Sequence, residues 1–248
     1  MPKLAVLFVA VPPPGAAGSS RVFTKIDGRE MFMRTIEIYT PRDQVAQRLL
    51  CVGIDDLPTI QTKYSAHLGF QGVSVAAGGP DWFGVVARGL EKLKPEIDTV
   101  LIHDASCPAV PFPIIDALEA AAAKMAEANP GLAAVVPVLP IGGHYAKISG
   151  GTLGPSADSA SLHEIQSPQI FSRQLLVDAY AKRASIPNPA DDAALVRLCG
   201  GKISTVPGSA YNIRIDSEEL SRLAGDYLKH VPKPRKTGPI TPFDEAQW

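Results

Sequence analysis

Residues Lys3–Arg21 read "KLAVLFVAVPPPGAAGSSR". The first nine, Lys3–Val11, are apolar apart from Lys3 and rich in valine and leucine. A run without polar alternation predicts a strand covered on both faces, as in a mostly parallel sheet. It empties into a Gly/Ser loop that closes on Arg21. Loops of this kind hold phosphate by aiming backbone amides at the anion. Pro12–Pro14 cannot take part, because proline carries no amide hydrogen. The amides of Gly15, Ala16, Ala17, Gly18, Ser19 and Ser20 are left, with Arg21 after them.

Working outward, strand-like and helix-like segments alternate. "REMFMRTIEIY" (29–39) has apolar residues at helical spacing. "QRLLCVGID" (47–55) and "GVSVAA" (72–77) read as strands, "GVVARGLEKL" (84–93) as a helix, and "DTVLIHDA" (98–105) as a buried strand. "FPIIDALEAAAAKMAEA" (112–128) is a long alanine-rich helix that stops at "NPG", and "LAAVVPVLP" (132–140) is a further strand. This alternation predicts a doubly wound, mostly parallel α/β sheet with helices on both faces. Ligands in such sheets bind beyond the carboxyl ends of the strands, which singles out the loops after strand one and after "DTVLIHDA".

The alternation breaks at residues 142–164, a polar Gly/Ser stretch that predicts a hairpin arm outside the sheet. It resumes with "SRQLLVDAYAKRA", "DDAALVRLCGG", "KISTVPG" and the helix "SEELSRLAGDYLKH", for which Asp216 or Ser217 supplies the cap. We therefore expect one domain over residues 1–230, with 142–164 as the arm. Residues 231–248 are proline-rich with few packing residues, and are expected to be extended or disordered.

The chain has 248 residues, a net charge of −1 and 20% charged residues, so no overall field favours nucleic acid or a membrane surface. Its longest apolar runs are too short to span a bilayer. No signal-peptide pattern opens it, and the three cysteines, Cys51, Cys107 and Cys199, fit neither a disulfide framework nor a zinc site. The expected setting is cytoplasmic.

Four segments carry chemistry. "LIHDAS" puts Asp104 at a strand's carboxyl end, where it either holds Mg²⁺ bridging phosphates or caps the next turn. His103 reads as a packed or hydrogen-bonded histidine. "AAGGPDW" is either a plain tight turn or a place where Gly78 and Gly79 let backbone approach a base or ribose. "NIRID" (212–216) reads as a short strand whose Arg214 is either a phosphate clamp or a surface arginine. For the paired acids of "DDAALVRL", interaction with the helix dipole is sufficient.

The order "AAG…R", "GG…GL", "HDA–P", "SPQIF", "DDAALV–CG", "NIRI–SEEL" resembles the 2-C-methyl-D-erythritol 4-phosphate cytidylyltransferases of nonmevalonate isoprenoid biosynthesis. The likeness runs from about Leu4 to His230 and is strongest over 162–184 and 191–228. It implies a nucleotidyltransferase-type domain and a homodimer swapped through the arm. CTP and a sugar-alcohol phosphate are the implied partners, and Mg²⁺ or another divalent cation the implied cofactor. It further implies that Arg21, Lys25 and Arg214 act on phosphates, that Asp104 holds the metal, and that Gly15–Ser20, Gly78, Gly79 and Gly84 line the nucleotide.

The likeness departs from the family at several of these positions. Ser20 stands for the loop's second glycine, one loop residue is missing, and the later P-K-Q is absent. In one register Arg21 is the loop arginine and Lys25 replaces the lost lysine. In the other, Pro12–Gly15 replaces A-A-G and Arg21 falls at the lysine position. Cys107 stands for an arginine, Gly84 for the serine that reads cytosine, "PIGG" for D-T, Ser159 for the arm arginine, and Arg214 for a lysine. Besides the family reaction, these changes suit two other outcomes: nucleotidyl transfer with another acceptor or base, or a paralogue that binds without turnover.

Overall fold

A computed structural model describes residues 3–12, 21–128 and 133–231. The expected loop amides of Gly15–Ser20, the "NPG" stop and the tail beyond Val231 lie outside the described residues. In chain order the elements are β1 (Leu4–Val9), β2 (Lys25–Ile26), β3 (Arg29–Glu30), α1 (Met31–Glu37), β4 (Val45–Gly53), α2 (Leu57–Lys63), α3 (Ser65–Phe70), β5 (Val73–Gly78) and α4 (Trp82–Glu91). Then come β6 (Thr99–Asp104), α5 (Phe112–Ala128), β7 (Ala134–Pro140), β8 (Tyr145–Ser149), β9 (Thr152–Ala157), β10 (His163–Ile165) and β11 (Gln169–Ser172). The chain continues with α6 (Arg173–Ala181), α7 (Asp192–Leu198), β12 (Ser204–Pro207) and α8 (Glu218–His230).

The main sheet runs β10-β7-β11-β6-β1-β4-β5, with β12 also on β7. β1 is parallel to both β4 and β6, and the register places Val9 beside Asp104. β11 is the reversed strand, antiparallel to β6 and β7. Because β1 is flanked by strands reached in opposite directions, a crevice opens at its carboxyl end.

Two apolar layers explain why β1 shows no polar alternation. Val6, Phe8 and Leu101 pack with Phe32, Ile36 and Leu118 on one face. Leu7, Val9 and Ile102 pack with Val86, Leu176 and Leu195 on the other. All six residues of β1 are buried. A smaller cluster of Ile26, Met31, Ile215 and Ala224 seats α8 on the β2–β3 hairpin. Of the two proposed caps, Ser217 is the one used: its hydroxyl accepts from Leu220 N at 3.2 Å.

Two expectations are corrected here. Asn212–Asp216 is not a strand; it is an irregular segment tied to the turn after β6 by a backbone bond, Ile215 N to Ser106 O at 2.9 Å. A single bond of that kind fixes position without forming a ladder. Within residues 142–164, β8 and β9 form a hairpin that is a separate two-stranded sheet. His163 and Glu164, however, belong to β10 on the main sheet, where His163 pairs with Pro140.

Candidate active site

Asp104 ends β6 with its carboxylate 4% exposed. Of the two readings of this residue, the cap is the one observed. One oxygen accepts from Ser106 N at 2.8 Å, closing the turn after the strand. The other accepts from Arg214 Nε at 3.2 Å. Burial pushes the carboxyl above its ordinary range, while the Ser106 amide and the Arg214 charge pull the other way. The pair lines a cavity of about 280 Å³ together with Trp82, Cys107, Gln166 and Asn212.

Arg214 is held there by a polar scaffold. The Gln166 carboxamide donates to Ser209 O and Asn212 O and accepts from Ser209 N. Asn212 Nδ2 donates to Ser167 O at 2.6 Å, and Ser167 Oγ accepts from Asp104 N at 2.8 Å. The segment 166–168 thus ties the strand-end acid to the arginine. Arg214 keeps a second, exposed partner in Asp216 at 3.3 Å.

His103 is a packed residue, as its position suggested. It is fully buried, one ring nitrogen lies 2.9 Å from the Tyr39 hydroxyl, and the other lies 3.1 Å from Cys107 O. Burial pushes the imidazole down to about 3. Cys107 lines the cavity as a buried thiol that burial drives well above its usual range, so it supplies no positive charge where the resemblance expects an arginine.

Among the described residues, the other candidate site residues do not line this cavity. Arg21 is exposed, and its carbonyl accepts from Thr24 N. Lys25 is exposed and ion-paired with Glu30 at 3.5 Å. Neither lines the cavity. Gly78 serves close packing: a Cβ there would sit 2.7 Å from Gly84 O and Val85 Cα. The approach that the Gly-Gly turn permits is therefore that of its own helix. Gly84 N donates to Asp81 Oδ1 at 2.7 Å, which caps α4. Ser159 closes the base of the arm, its hydroxyl donating to Gly143 O at 3.1 Å.

The paired acids need a correction. Asp191 caps α7 by accepting from Ala194 N at 2.7 Å. Asp192 is buried and accepts from Trp82 Nε1 at 2.7 Å and from the Tyr180 hydroxyl at 2.5 Å. Interaction with the helix dipole does not account for it. The available signal was that one acid suffices for a cap, so its neighbour needs another task.

A doubly wound sheet with an acid–arginine pair at the carboxyl end of a central strand defines an α/β protein whose ligand crevice lies at that pair. The family model for IspD, 2-C-methyl-D-erythritol 4-phosphate cytidylyltransferase, matches residues 15–230. The chain belongs to that family. A relative with that name from Clostridioides difficile is 29% identical over 224 residues, covering 86% of this chain and 91% of its own. One from Saccharopolyspora erythraea is 28% identical, covering 80% and 86%. The crystal structure of the Thermus thermophilus enzyme of that name superposes with a TM-score of 0.71 at 26% identity, covering 90% of this chain and 98% of the other.

Proposed function

We propose that the protein transfers CMP from CTP to 2-C-methyl-D-erythritol 4-phosphate and releases pyrophosphate. The acceptor's phosphate oxygen forms a bond to the α-phosphorus, and the bond from that phosphorus to the pyrophosphate oxygen breaks. No covalent enzyme intermediate is required. The observation that carries the reading is the Asp104–Arg214 pair at the crevice of a chain matched by the family over 15–230.

In this reading Arg214 orients the transferring phosphate and offsets the charge that develops on it. Arg21, Lys25 and the amides of Gly15, Ala16, Ala17, Gly18, Ser19 and Ser20 hold the triphosphate. Gly78, Gly79 and Gly84 shape the nucleoside side. Mg²⁺ on phosphates takes only one or two protein carboxylates, and the buried Asp104 carboxylate suits that need. Among the described residues there is no cluster of three or more potential ligands; an ion held by Asp104 would take its remaining ligands from phosphate and water. Bound there, the ion supplies charge neutralisation across the triphosphate. Free thiols at Cys51, Cys107 and Cys199 suit a reducing cytoplasm.

The deciding assay mixes purified protein, CTP, Mg²⁺ and methylerythritol phosphate. Pyrophosphate release and a CDP-linked product are expected; the absence of both removes this reading.

The arm is read as the homodimer contact. Ile148 and Leu153 pair across β8 and β9, and their side chains are 69% and 73% exposed. Adjacent exposed apolar side chains on a protruding ribbon mark an interaction surface. Ile148→Asp/Leu153→Asp is expected to convert a sedimenting dimer to a monomer with an unchanged far-ultraviolet spectrum. A double variant that sediments like the parent would remove the arm from the interface.

A further inference from the structure

The cavity that holds Asp104 and Arg214 has a second polar element on its far wall. Trp82, the first residue of α4, and Asp192, the first residue of α7, both line it. The indole Nε1–H donates to one carboxylate oxygen at 2.7 Å, and the Tyr180 hydroxyl of α6 donates to the other at 2.5 Å. Asp191 already caps α7, so Asp192 is not needed there.

Trp82 does not move alone. It follows the Gly78–Gly79 turn, and Gly78 packs backbone to backbone on Gly84 and Val85. The turn, the first turn of α4 and the indole therefore form one rigid piece. Whatever holds the indole also holds the Gly78–Gly79 turn behind it.

We propose that Asp192 is a positioning residue of the nucleotide site, clamping the Trp82 indole in the cavity wall and so setting how tightly the cavity accepts the nucleoside triphosphate. This rests on the reading that the cavity takes CTP.

The clamp is sensitive to protonation. The titratable and charged groups around Asp192 are Asp191 beside it, Tyr180 against it, and, around Tyr180, Arg183 and the buried Cys51 thiol of β4. Gln169 of β11, an uncharged side chain, approaches from the sheet, donating to the Asp191 carboxylate and accepting from Ala193 N. No cation touches the carboxylate directly, and burial raises it to about 6. Ionised, Asp192 accepts two charge-assisted bonds, which are roughly twice as strong as neutral ones. Protonated, it keeps neutral bonds only. Asp192→Asn has the shape and hydrogen-bonding pattern of the protonated form, so it serves as a permanently protonated clamp.

The test measures KM for CTP and kcat from pH 5.5 to 8 in wild type, Asp192→Asn and Tyr180→Phe. At pH 8, Asp192→Asn is expected to raise KM about three- to tenfold, with a smaller change in kcat. Tyr180→Phe should raise KM by less. As pH falls through 6, wild type should converge on Asp192→Asn. The phosphate of CTP also titrates near 6, but it does so in every variant, so the ratio of wild type to variant isolates the clamp. A direct readout comes from indole emission in a Trp248→Phe background, since Trp248 is the only other tryptophan. CTP should change the emission, with a weaker apparent affinity when Asp192 is Asn.

Equal CTP affinity in wild type and folded Asp192→Asn at every pH overturns the clamp. If Asp192→Asn fails to fold, Tyr180→Phe decides, and a KM identical to wild type at pH 8 has the same force. Emission responds to CTP without an acceptor. A response without turnover of methylerythritol phosphate therefore removes the proposed acceptor and leaves the clamp standing. Failure of wild type to bind CTP removes both.

Discussion

Asp104→Asn is expected to lower kcat for pyrophosphate release by about 10²–10³, the range for losing one preorganised charged contact at a transferring phosphoryl group. The substitution isolates charge from shape. An asparagine at the end of β6 still accepts from Ser106 N, so the turn after the strand survives. It loses the carboxylate that faces Arg214 and that would hold a divalent ion on the triphosphate. The melting temperature should therefore move little while turnover collapses. Asp216→Asn is the matched control. Its carboxylate also touches Arg214, but from the exposed side, so activity should stay within a few-fold of wild type. A variant at position 104 that retained a tenth of wild-type turnover would remove Asp104 from the proposed chemistry.

Gly78→Ala is expected to destabilise the protein by about 3 kcal/mol and to weaken CTP binding along with it. The added methyl would meet Gly84 O and Val85 Cα, both at 2.7 Å. Both are backbone atoms, so relief requires α4 to move off β5. For a chain of this size the loss corresponds to a fall of roughly 6–12 °C in melting temperature. Gly79→Ala provides the contrast. Its nearest neighbour would be Gly84 Cα at 3.5 Å, an ordinary contact. It should melt within about 2 °C of wild type. Equal melting temperatures for the two variants would show that the turn is not a packing device.

Most of the fold was legible because its signals are local. The apolar runs of β1 and β6, the alanine-rich α5 and the Ser217 cap each follow from neighbouring residues. What escaped depends on distant partners. α2 and α3 bury little beyond Ile60 and Leu68, so their periodicity is faint. β11 has four residues directly after Pro168, too short a stretch to announce a strand, and only the sheet places it between β6 and β7. "NIRID" has the alternation of a strand, yet the Gln166 scaffold takes the backbone groups around it. In the site, the meeting of Asp104 with Arg214 spans 110 residues of sequence, and so does that of Trp82 with Asp192. Residue type could nominate Asp104 and Arg214. Asp192 escaped because its helix-start position invites a local explanation, while its partner Trp82 lies far away in the chain.

The chain leaves the main sheet at the end of β7 and re-enters at β10, and both ends are pinned to each other through the pairing of His163 with Pro140 and the bond from Ile141 N to Leu162 O. The intervening ribbon is consequently a cassette. Its length, charge and apolar tips can drift without disturbing a single ladder bond of the body. Ser159 and "PIGG" both fall within or at the entry to this cassette, whereas Asp104 and Arg214 fall outside it. On the proposed function, acceptor choice and subunit pairing would change on one module while nucleotide handling stays fixed on the other. Grafting a relative's ribbon between Ile141 and Leu162 is the natural way to re-engineer either property.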